Sequence, residues 1–88
     1  MRLETIVTLE DGYRYYLTDE TVQNGIKYFL ANRLDDNNEL TEDSFIFEET
    51  IKDGDSYLYV VTDQQMVNYI TAVFTANFIS KVEENPGE

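Results

Sequence analysis

Carboxylates dominate the chemically capable residues of this chain: 18 Asp and Glu stand against six Lys and Arg, with no His and no Cys. Without imidazole or thiol, Ser-His and Cys-His nucleophiles and zinc-histidine centres are excluded. Ser44, Ser56 and Ser80 stand in unrelated contexts, none of them a nucleophile elbow, and the four glycines are too scattered to form a phosphate-cradling loop. Paired carboxylates serve as acid and base in glycoside hydrolysis, but so many acids on 88 residues become neighbours by chance. The stretch DDNNELTEDSFI sets Asp35, Asn37 and Glu39 at alternate positions, as calcium ligands are set. It then has Leu40 where the EF-hand loop turns on Gly and Ile46 where it needs a bidentate Glu, and DGDSY from Asp53 fails similarly. The expectation is a protein that is not an enzyme, with no cofactor and no metal, acting by binding.

The formal charge of −12 and sequence pI near 4.1 set the partner class. A chain so negative is repelled by phosphate backbones and anionic lipid, which argues against direct nucleic-acid or membrane binding and for a basic protein partner. Asp35, Asp36, Glu39, Glu42, Asp43, Glu48, Glu49, Asp53 and Asp55 make the expected acidic partner face, with Lys52 the single base among them. Compact phage and mobile-element inhibitors that mimic DNA put carboxylates in place of phosphates, and this chain is similar to them in size and charge. A DNA-mimic inhibitor of a basic nucleic-acid-handling protein is therefore the alternative function. With 42% hydrophobic and 14% aromatic residues the chain can bury a core, and its length suits one domain. The N-terminus lacks a signal-peptide apolar region, and the most apolar window, 66 to 80, is short and carries Asn68 and Asn77. A cytoplasmic protein is expected.

The elements that position these residues read as one unit written twice. RLETIVTLE alternates as a strand, Asp11-Gly12 offers a tight type I′ turn, and YRYYL returns with Tyr13, Tyr15 and Leu17 on one side. Thr18 is a fitting N-cap, and Val22, Ile26, Phe29, Leu30 and Leu34 follow at helical spacing. FIFEETI, the Asp53-Gly54 turn and YLYVV repeat the hairpin. Thr62 with Gln65 makes a capping box, and Met66, Ile70, Val73, Phe74 and Phe78 form a second stripe. Each member of that stripe lies 44 positions after its counterpart in the first. Asn24-Gly25 is a turn signal inside the first predicted helix, but the 44-residue repeat keeps the helix, at a cost of about 1 kcal/mol for Gly25. The expected fold is α+β: a two-layer sandwich with a ββαββα internal repeat, a four-stranded antiparallel sheet and two helices on one face. It forms one domain over 1–84, with ββα units at 2–34 and 45–83 around an acidic loop at 35–44, and a flexible tail at 85–88.

The second unit has lost its charges: from Ser56 to Ser80 only Asp63 remains. Leu58 and Val60 replace outward Arg14 and Tyr16, and Tyr69, Ala72, Ala76 and Ile79 give the second helix an apolar back. Together with Ile46 these residues predict an apolar surface for self-association, most simply as a homodimer. The leading functional expectation is thus a non-catalytic, acidic protein-protein interaction module that self-associates through its second ββα unit.

Overall fold

The computed structural model describes residues 3–84, and side chains as far as Ile79. Five strands run in sequence, β1 (Ile6–Thr8), β2 (Arg14–Gln23), β3 (Ile26–Leu34), β4 (Leu40–Lys52) and β5 (Asp55–Val60), followed by one helix, α1 (Gln64–Glu84). Each strand pairs antiparallel with the next, in the order β1-β2-β3-β4-β5, and the sheet curls into a half-barrel. The ββαββα sandwich with two helices is therefore corrected to a five-stranded meander with one helix. The flexible tail expected at 85–88 lies outside the described residues.

The correction lies in the stretch from Thr18 to Leu34. Asn24 (φ 54°) and Gly25 (φ 79°) form a two-residue turn joining β2 to β3, with Gln23 opposite Ile26. Two successive left-handed residues are what a type I′ hairpin requires, and a helix tolerates neither. The flanking Thr18, Thr21, Val22, Ile26, Tyr28 and Phe29 are β-branched or aromatic, types that pack well on a pleated surface. The second copy has Asn68-Tyr69 at the turn position and Ala72 and Ala76 beyond, so nothing stops α1. Its N-cap is Asp63, not Thr62: the Asp63 carboxylate accepts the Gln65 N–H at 3.2 Å, and its carbonyl accepts the Val67 N–H at 2.9 Å.

The remaining turns follow their own chemistry. Asp53 (φ 52°) and Gly54 (φ 84°) close the β4–β5 hairpin as expected. Leu9 to Tyr13 is a longer loop than the tight turn expected at Asp11-Gly12: the Gly12 N–H donates to the Leu9 carbonyl at 2.9 Å, and the Leu9 N–H to the Tyr13 carbonyl at 3.1 Å. Asp35 to Glu39 repeats that pair of bonds with Asn38 as the left-handed residue, so the expected acidic loop is a turn only as far as Glu39.

Each sheet face has its own apolar cluster. On one, Tyr28 and Ile46 meet Ile70 and Phe74 of α1, with Ile26, Leu30, Val61, Met66 and Val67 around them. Phe78, expected in the α1 core stripe, is 66% exposed. On the other, Tyr15, Leu17, Phe29, Ala31 and Phe47 are buried among Val7, Leu9, Phe45 and Leu58, all from the sheet and its first loop. A face closed by its own strands, without a second layer, requires strong curl. Register shifts at Leu17/Asp19 and at Asn32/Leu34 supply it, since a bulge bends a strand and increases its twist.

Candidate functional site

The curl leaves the two edge strands facing one another across a cleft of about 630 Å³ on the concave side. Val7 and Leu9 line one wall, Leu58 and Val60 the other, with Phe45 and Phe47 at the floor and Glu10, Asp11 and Arg33 at one end. Side-chain alternation puts these residues together: Val7 pairs with Tyr15, Tyr15 with Arg33, and Phe47 with Val60, and directly paired residues share a face.

Arg33 is the charged centre of that end. Its guanidinium lies 4.2 Å from the Tyr13 ring centroid and 4.9 Å from that of Phe45, and its Nη2 donates to the Tyr15 hydroxyl at 3.3 Å. Arg33 Nε is buried with no hydrogen-bond partner, so the aromatic faces carry part of what water would otherwise give. The Tyr15 hydroxyl donates in turn to Asp11 Oδ2 at 2.7 Å, and Asp11 Oδ1 accepts the Tyr13 N–H at 2.8 Å. These bonds, the Tyr15 one foremost, hold the Asp11 carboxyl below the ordinary carboxylate value. Burial, more than the nearby Asp11, pushes the Tyr15 phenol up, and the Tyr15 hydroxyl bond raises Arg33 further. The result is a fixed Asp–Tyr–Arg relay with a permanent cation, suited to orienting groups.

The opposite end of the concave face carries a second pair, Lys27 Nζ to Glu20 Oε2 at 2.8 Å, with Lys27 over the Phe29 ring at 5.3 Å. The apolar floor thus runs between two cation-aromatic groups. Arg33, Asp11 and Tyr13 were missed as site residues in the sequence, although Phe29, Ala31 and Arg33 alternate at strand period once the segment is read as β3.

The seven residues expected to form a self-association surface do not share one face. Ile46 is buried beneath α1, and Leu58 lines the cleft. Val60 is exposed on the edge strand, while Tyr69, Ala72, Ala76 and Ile79 lie exposed on the outer side of α1. Tyr69 also donates its hydroxyl to Gln23 Oε1 at 2.7 Å, tying α1 to the β2–β3 hairpin.

The nine acids of the expected partner face are also divided. Asp35, Asp36 and Glu39 lie in the β3–β4 turn and Glu42 and Asp43 at the start of β4, while Asp53 and Asp55 are at its far end. At about 3.4 Å per residue β4 is roughly 40 Å long, so the two groups are well apart. Between them Glu48 pairs with Tyr59 and Glu49 with Leu58, on opposite faces of the sheet. The Asp35 carboxylate is engaged within its turn, accepting the N–H groups of Asn37 at 2.8 Å and Glu39 at 3.0 Å. Among the described residues no three carboxylates converge on a point where a metal ion could sit. No helix among them is long and apolar enough to cross a membrane.

No protein-family model, curated protein or solved structure matches this chain.

Proposed function

We propose that this protein is a non-catalytic protein-protein interaction module that self-associates through its second half. The observation that carries this reading is the exposed apolar surface of β5 and α1. Tyr57, Tyr59 and Val60 are between 43% and 50% exposed, and Tyr69, Phe78 and Ile79 between 49% and 66%. Asp63 is the only charge between Ser56 and Ser80, so α1 carries no charge from Gln64 to Ile79. On α1 the residues Tyr69, Ala72, Ala76 and Ile79 lie on the side away from Ile70 and Phe74, and the small Ala72 and Ala76, four apart, let a second helix approach closely.

Light scattering on the full chain tests it. The expected mass is twice 10.3 kDa, returning to the single-chain value in Ala76→Glu plus Ile79→Glu with the circular dichroism unchanged. A wild-type chain that remains monomeric up to millimolar concentration would remove self-association from the reading.

A further inference from the structure

We propose that the open side of the half-barrel docks an extended, basic segment of another protein, which adds to β5 as a sixth strand and lays alternate apolar side chains into the cleft. The proposal rests on the interaction-module reading and is independent of self-association through α1.

Backbone geometry identifies the docking edge. β5 ends the sheet, so among the described residues one of its sides has no strand beside it. The Val61 N–H donates to the Ile46 carbonyl at 2.8 Å, which fixes the phase of the β4–β5 ladder. Because antiparallel residues point their N–H and C=O toward the partner strand at every second position, Tyr59 and Tyr57 also point at β4. The N–H and C=O of Ser56, Leu58 and Val60 therefore point outward, toward an empty strand position. The side chains of Ser56, Leu58 and Val60 face the cleft. An added strand would satisfy the outward backbone groups and, at its own period of two, fill the space above Phe45 and Phe47.

Charge selects the occupant. Glu10 and Asp11 stand on the β1 side of the cleft, Asp53 precedes β5, Asp55 is its first residue, and Asp63 follows it. The bases nearby are engaged: Arg33 is bound to Tyr15 and stacked on Tyr13, and Lys52 Nζ donates to the Tyr59 hydroxyl at 3.4 Å. Lysines and arginines at the two ends of the segment, flanking its apolar residues, would meet those carboxylates. A second copy fits this edge poorly, because a two-fold pairing of β5 centred on Leu58 sets Asp53 of one copy level with Asp63 of the other. Each copy also carries −12.

The test is selection of a random dodecapeptide phage library on the immobilised full-length protein at low salt. Enriched sequences should carry apolar residues at every second position, flanked by Lys or Arg. A synthetic representative should shift the amide resonances of Ser56, Leu58 and Val60. Val60→Pro removes a donor from the free edge and leaves the β4 ladder intact, so the fold is kept and the peptide binds at least about tenfold more weakly. Glu10→Lys plus Asp55→Lys, both at exposed positions, should weaken it to a similar degree, as should moderate salt. Peptides that map to the outer side of α1, an acidic consensus, or binding indifferent to both variants would overturn strand docking and leave the interaction-module reading standing. A library with no enriched sequence also overturns it. If the chain is in addition a monomer by light scattering, the wider reading fails too.

Discussion

Gly25→Ala separates the two ways of folding residues 18 to 34, because they predict opposite signs. In a helix, alanine at this position would stabilise by about 1 kcal/mol. In the observed hairpin Gly25 has φ +79°, where an L-residue's Cβ crowds the following carbonyl and costs roughly 1–2 kcal/mol. Beyond Gly25 and its two chain neighbours no atom lies within 4 Å of the added methyl, so the loss is backbone strain alone, without relief or aggravation from packing. For a domain of this size each kcal/mol moves the melting temperature by about 4–8 °C, so the variant should melt roughly 4–16 °C lower. Thermal unfolding followed by circular dichroism, wild type beside variant in one buffer, reads this directly. An unchanged or raised midpoint would refute the hairpin and restore the helix.

Phe29→Ala should cost about 3–5 kcal/mol in urea unfolding, since Phe29 is fully buried on the concave face and no helix can move in to fill the cavity. Asp11 has a folded pKa below its ordinary 3.8, so its contribution to stability is present above that value and is lost as pH falls through the lower folded value. The difference in melting temperature between wild type and Asp11→Asn should accordingly be present at neutral pH and vanish in acid. In Tyr15→Phe an NMR titration of the Asp11 carboxyl should find its pKa moved back up, because the 2.7 Å bond is the largest cause of the depression.

The sequence by itself determined the hairpin pairing 45–51 with 57–61, the long second helix, the shared side of Tyr15 and Leu17, and the crowding of apolar residues after Ser56. These rest on local rules: period-two alternation, left-handed turn dipeptides and alanine-rich helical spacing. It also held the decisive signal for the first half in Asn24-Gly25, but Val22, Ile26, Phe29, Leu30 and Leu34 satisfy helical spacing as well. Apolar residues on both faces of a strand imitate a helical stripe, and β3 is buried on both sides, by α1 at Tyr28 and by the curl at Phe29 and Ala31. Only the tertiary structure decided between them. It divided the acids between the two ends of β4, and it split Ile46 from Leu58 across the sheet. It also brought Asp11, Tyr15 and Arg33 together with Phe45 beside an open strand edge. Those relations depend on register, on the bulge at Thr18 and on the extra residues of β4 between Leu40 and Ser44, and a single residue's shift in register would turn every side chain beyond it to the opposite face.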